Sequence, residues 1–253
     1  MELPRLRAPL VLVHGLFGFG RLRLGSRVLI DYFNGLPRAL EAAGNRVFVV
    51  QLAPTEGIAY RAAQLRAFIN RRSPDQPVHI LAHSMGGLDA RFMIAHLGMA
   101  DRVLTLTTLG TPHRGSPVAD RARQHLAWLV DPIFDLLGVP RQGFADLTLP
   151  SCRRFNEQTL DAPQVRYFSV AGRFQGRGLN LSWGLTEPIV RRAEGPNDGL
   201  VSITSAAWGE SCDVWEGDHM HLVNWSRSWA PVGKGKSLPH FARHLGRLRD
   251  EGF

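Results

Sequence analysis

Short, almost wholly apolar runs alternate along this chain with segments of helical period, and that rhythm leaves few architectures open. "PLVLVHG", "NRVFVVQL", "PVHILAHS", "RVLTLTTLGTPH", "VRYFSVAG" and "SCDVWEG" read as six strands. Between them, "GLPRALEAAG" reads as a short helix stopped by Gly44. "GIAYRAAQLRAFINRR" carries Ile58, Ala62, Leu65 and Ile69 on one stripe, and "LPHFARHLGRLRDEG" carries Phe241, Leu245 and Leu248. Strands that are apolar throughout, each followed by a helix, predict an α/β fold: a mostly parallel sheet with helices on both faces. With 253 residues, 44% hydrophobic, and no repeat or linker, the expectation is one domain over residues 1–253. The rhythm breaks from about 115 to 150. There Leu126, Leu129, Val130, Ile133, Phe134 and Leu137 form a helical stripe, with Pro132 set to kink it. An insertion between sheet strands is where such folds place a lid or cap.

"LAHSMGG", Leu81 to Gly87, joins the third strand to a helix. Ala82 and Gly86 stand two before and two after Ser84, the small residues that a sharp strand–nucleophile–helix turn requires. The plainer reading is a glycine-rich turn with a capping serine. A serine hydroxyl becomes a nucleophile only with a base, an orienter for the base, and donors for an oxyanion. The Met85 N–H opens the following helix and is one such donor. "VHGLFGFG" after the first strand supplies the other through the Leu16 N–H. His14 reads as a residue that holds this loop rather than as a base.

The base and acid should follow Ser84 in the order Ser, Asp or Glu, His. The later histidines are His96, His113, His125, His219, His221, His240 and His244. His96 falls mid-helix, His125 at the head of the insertion helix, and His113 in a loop-shaping position. "EGDHMHLVNW" offers His219 and His221 after a late strand. "GPNDGLVS" offers Asp198, 21 residues before His219, in a turn that is also an ordinary Asn-Asp-Gly signature.

Composition narrows the classes. The formal charge is +8, almost all of it arginine, since Lys234 and Lys236 are the only lysines. No zinc-finger spacing, RNP-like aromatic motif or dense basic block accompanies it, so no nucleic-acid partner is expected. No phosphate loop, dinucleotide fingerprint or HExxH pattern is present, so no cofactor or catalytic metal is expected. Cys152 and Cys212 are as readily two free thiols as one disulfide. No run of 18 apolar residues suggests a transmembrane helix. The start lacks a signal-peptide pattern, which leads to the expectation of a cytoplasmic chain or a mature secreted one.

"LVLVHGLFGFG", "HSMGGLDAR", "LGTPHRGS" and "NDGLVS…DHMHLVN" together resemble, in order, the landmark segments of bacterial triacylglycerol lipases of the α/β-hydrolase superfamily. The resemblance implies an α/β-hydrolase fold and a serine carboxylic-ester hydrolase acting on acylglycerol or other lipid esters through an acyl-enzyme. It makes Asp198 the acid and His219 the base, places a lid at the 115–150 insertion, and implies transient contact with a lipid interface. A short-chain carboxylesterase, an acyltransferase with the same triad, and a non-catalytic lipid-binding protein are the alternatives. Many lipases of that family hold calcium through an aspartate two residues after the histidine and another about twenty residues before the acid. Here those positions are His221 and the surroundings of Gly178, with no acid in residues 172–184. Imidazole is a poor ligand for a hard, oxygen-seeking cation, so no metal is expected.

Overall fold

The structure is a computed structural model describing residues 3–18, 21–24, 27–125, 140–175, 183–225 and 236–253. The chain opens with β1 (Leu10–Val13), followed by the antiparallel pair β2 (Arg21–Leu24) and β3 (Arg27–Asp31). Then come α1 (Leu36–Ala42), β4 (Val47–Val49), α2 (Ile58–Arg72), β5 (Val78–His83), α3 (Met85–His96) and β6 (Val103–Leu109). After β6 lie α4 (Pro117–His125), α5 (Gln142–Asp146) and α6 (Leu149–Gln158). The sheet resumes with β7 (Arg166–Arg173), then α7 (Glu187–Glu194), α8 (Ile203–Ala206), β8 (Ser211–Glu216) and α9 (Leu238–Asp250).

The six strands read from the sequence form one sheet in the order β4-β1-β5-β6-β7-β8, every pair parallel. Parallel neighbours need crossovers, and α2 and α3 supply two of them. Side chains alternate across a strand, so a sheet covered on both faces must be apolar at every position. β1 does this in four residues: Val11 and Val13 pack with Leu65 and Ile69 of α2 and Met93 of α3. Leu10 and Leu12 pack on the opposite face with Leu36 and Leu40 of α1 and Phe241, Leu245 and Leu248 of α9. The two stripes predicted for α2 and α9 are the buried faces of those helices.

Several features depart from the sequence reading, helices α6 and α8 among them. The β2–β3 hairpin was not anticipated. α7, eight residues long with Val190 its one buried residue, was not anticipated either. α4 begins at Pro117, so His125 does not open it. The predicted stripe Leu126–Leu137 lies outside the described residues. Both cysteines are free thiols, Cys152 buried and Cys212 partly so. Among the described residues no helix is long and apolar enough to cross a membrane.

Candidate active site

β5 ends at His83 and α3 starts at Met85, which leaves Ser84 alone to reverse the chain. Its backbone sits at φ 54°, ψ −131°, a conformation that costs a non-glycine residue about 1–3 kcal/mol. Three hydrogen bonds hold it there. The Ser84 N–H donates to the Leu109 carbonyl at 2.9 Å, and the Ser84 carbonyl accepts from the Gly87 N–H at 3.1 Å and the Thr111 hydroxyl at 2.7 Å. A capping role for the Ser84 side chain is not the one adopted: it makes no cap hydrogen bond to α3.

The loop after β1 presses against this turn. A Cβ on Gly15 would stand 2.7 Å from Ser84 Cβ, so only glycine permits the approach. His14, wholly buried, fixes the loop. Its Nε2 accepts from the Leu52 N–H at 3.0 Å, which leaves Nδ1–H to donate to the Gly15 carbonyl at 2.8 Å. Burial lowers its pKa to about 4, with Arg61 adding to the effect, so His14 is a neutral strut. Arg61, fully buried on α2, donates to the His14 carbonyl at 2.8 Å, to the Ala53 carbonyl at 2.7 Å, and to Asp89 of α3 at 2.8 Å. Sequence reasoning missed Arg61 and Asp89, because two charged residues 28 apart on separate helices each look like part of a solvated face until burial is known.

Asp198 is buried completely, and its two carboxylate oxygens do different work. Oδ1 accepts from the N–H groups of Leu200 (3.0 Å) and Val201 (2.8 Å), which is the Asn-Asp-Gly turn. Oδ2 lies 2.7 Å from His219 Nδ1, and the His219 N–H donates to the Asp198 carbonyl at 2.8 Å. The turn contacts and the contact with His219 therefore coexist on one carboxylate. Asp198 does not end a strand directly. The chain leaves β7, passes through α7, and returns where the Phe174 N–H meets the Asn197 carbonyl at 2.8 Å. Gly110, at φ 58°, makes room beneath the pair, since a Cβ there would stand 2.9 Å from Asp198 Oδ2 and 3.1 Å from His219 Nδ1.

His221 turns the other way, with Nδ1 2.8 Å from Asp218 Oδ1. Asp218 Oδ1 also accepts from the N–H groups of Met220 and His221, both at 3.0 Å. That commitment and the imidazole chemistry give this position no fit to a calcium ion; Gly178 lies outside the described residues. The loop carrying His219 is clasped to the segment after β3. Asn34 and Asn224 exchange side-chain to carbonyl bonds of 2.7 and 2.9 Å, and the Trp225 indole N–H donates to the Tyr32 carbonyl at 2.8 Å. His113 is likewise used structurally, between Thr108 Oγ1 at 3.0 Å and the Arg91 guanidinium at 3.3 Å, with its ring stacked on Trp208.

Ser84 and His219 open into one largely apolar cavity of about 480 Å³, which Leu16 also lines. The described flanks of the 115–150 insertion form another wall through Ser116, Val118, Ala122 and Phe144. A larger, open groove beside Trp208 and Arg114 shares no lining residue with it. An apolar chamber with a few convergent polar groups suits a molecule with one reactive polar bond and a greasy remainder.

Residues 59–220 belong to the PGAP1-like alpha/beta domain family. The triacylglycerol lipase of Pseudarthrobacter phenanthrenivorans is 34% identical over 319 residues, covering 97% of this chain and 98% of that protein. The chain belongs to the bacterial lipase family of α/β-hydrolases. It is a carboxylic-ester hydrolase of the lipase type, with the fold that the four ordered segments implied. Triacylglycerol lipase 2 of Saccharomyces cerevisiae is 33% identical over an alignment of 213 residues that covers 78% of this chain and 63% of the yeast protein. This chain therefore matches less than two thirds of that relative's length. The mature form of Bacillus licheniformis lipase BlEst2 superimposes with a TM-score of 0.72 at 25% identity, over 94% of this chain and 91% of that one.

Proposed function

We propose that this chain hydrolyses lipid esters, acylglycerols among them, through an acyl-enzyme on Ser84. The observation that carries this is the strained Ser84 turn opening into the same apolar cavity as a histidine whose Nδ1 is already held by Asp198 at 2.7 Å. With Nδ1–H committed to the carboxylate, Nε2 is the nitrogen left to accept a proton. Ser84 Oγ attacks the ester carbonyl carbon while His219 Nε2 takes the hydroxyl proton. The charge that develops on the carbonyl oxygen meets the N–H groups of Leu16 and Met85, each worth roughly 10²–10³ in turnover. His219 returns the proton to the departing alcohol, then activates water to release the acid. Asp198 stays ionised and steadies the imidazolium.

The 115–150 insertion is a cap over the acyl chamber within a single domain. Support comes from its described flanks, which line the cavity. Phe17, half exposed at the mouth and 5.1 Å edge-on from Phe144, suits contact with a lipid surface.

The test is labelling by a fluorophosphonate probe, followed by a panel of p-nitrophenyl esters and emulsified triglyceride. Labelling lost in Ser84→Ala, with hydrolysis of emulsion, is the expected result. Labelling that persists in Ser84→Ala sinks the nucleophile. Activity confined to acetate and butyrate makes the chain a short-chain carboxylesterase, and product captured by added alcohol in preference to water makes it an acyltransferase. Labelling without turnover of any ester leaves a lipid-binding protein.

A further inference from the structure

The loop after β1, the turn at Ser84 and the histidine loop come from distant stretches, and one chain of hydrogen bonds joins all three. His83, the last residue of β5, is wholly buried. Its Nε2 lies 3.0 Å from the His219 carbonyl oxygen, and its Nδ1 lies 2.7 Å from the Tyr32 hydroxyl. The Tyr32 oxygen accepts from the Gly15 N–H at 3.1 Å. A carbonyl only accepts, so His83 Nε2 carries the proton. Nδ1 is then a bare lone pair, and the Tyr32 O–H must point at it. That leaves the lone pairs of the tyrosine oxygen for Gly15. One tautomer satisfies every bond, with donation running in a single direction from Gly15 to His219. Burial lowers His83 well below its usual pKa, with His219 contributing, and raises Tyr32 to about 12, so both stay neutral.

Resting on the assignment of Ser84, Asp198 and His219 above, we infer that Tyr32 and His83 are positioning residues that lock the oxyanion loop to the backbone of the base. Gly15 precedes Leu16: Tyr32 anchors its N–H, and His14 holds at 2.8 Å its carbonyl, which shares a peptide plane with the Leu16 N–H, so the two bonds together orient that donor. The His219 carbonyl is anchored by the same chain, while Asp198 fixes its ring. The Tyr32 main chain cannot drift, because the Trp225 indole and the Asn34–Asn224 exchange hold it to the histidine loop. The relay thus keeps donors and base in mutual register before substrate arrives, which is what preorganised catalysis requires.

The test uses p-nitrophenyl butyrate turnover, normalised to sites titrated with a fluorophosphonate so that unfolded protein is not counted. Tyr32→Phe removes only the hydroxyl. His83→Gln keeps a donor in reach of the His219 carbonyl but loses the acceptor for Tyr32. Each should lower kcat about tenfold with KM within about twofold, since misplacement of catalytic groups acts on the transition state. The double variant should lose no more than the worse single, because both break one chain. If His83→Gln does not fold, Tyr32→Phe still carries the test through a fluorophosphonate labelling rate lowered by about the same factor. Singles that keep wild-type kcat, or losses that multiply in the double, overturn the relay and leave the triad standing. A wild-type protein unlabelled at Ser84 overturns both.

Discussion

Two histidines two residues apart have different fates, and the carboxylate each one meets decides which. His219 faces the fully buried Asp198, and His221 faces Asp218 in its own turn. His219→Ala should therefore lower kcat by on the order of 10³-fold or more, whereas His221→Ala should leave it within about tenfold. Steady-state kinetics on titrated sites decides this, and the reverse ranking would move the base to His221. Asp198→Asn keeps an oxygen for the turn but offers the wrong partner to Nδ1–H, so kcat should fall by up to about 10⁴-fold with the fold intact by circular dichroism. At the same scale, no family calcium is expected where His221 stands. Activity should be unchanged after treatment with a chelator, and a large loss restored by calcium would overturn that.

Elements act here as clamps. α2 grips α3 and the loop after β1 with a single guanidinium, since Arg61 reaches Asp89 and the His14 carbonyl at 2.8 Å each. Burial pushes the Asp89 carboxyl up to about 7, with the Arg61 charge pulling the other way. Such a pair adds little over an apolar replacement, but removing one partner strands the other charge in the interior. Asp89→Ala should lower unfolding free energy by about 3–5 kcal/mol in urea titration and loosen the loop after β1 with it. A loss within about 0.5 kcal/mol, as for an exposed residue, would show the pair to be solvated. The described flanks of the insertion act at this scale too, since Ser116, Val118, Ala122 and Phe144 line the cavity that Ser84 also lines.

Across the whole molecule, five histidines are folded into neutral surroundings. Burial lowers His14, His79 and His244 to about 4, and takes His83 and His113 well below the usual 6.5. Below about pH 6.5 the unfolded chain takes up protons that the folded chain refuses, so stability falls with falling pH, down to about pH 4 for the first three and further for the other two. Above 6.5 both states are neutral and the effect vanishes. Each histidine contributes a slope of up to about 1.4 kcal/mol per pH unit, against which the raised Asp89 opposes one proton. Urea midpoints should be level from pH 7 to 8 and drop steeply from 6.5 towards 4. A level profile down to pH 4 would mean that these histidines can protonate in place.

Much of this was legible along the chain, for physical reasons. Apolar runs must lie in a two-sided parallel sheet, because nothing else buries every residue of a strand. A small-x-Ser-x-Gly turn between strand and helix has one tight geometry, so the strained turn at Ser84 was legible; the expected chain order singled out Asp198 and His219, and the resemblance gave each its proposed role. α7 and the β2–β3 hairpin were not read from the sequence: each element is short, at eight, four and five residues. Tertiary structure alone decided how the carboxylates were shared between His219 and His221, how Asp198 returned to the end of β7 from 25 residues beyond Arg173, and how Tyr32, His83, Arg61 and Asp89 came to surround the site. Those choices depend on burial and on partners distant in sequence. A tyrosine, a histidine or an ion pair carries no mark of either until the chain has folded around it.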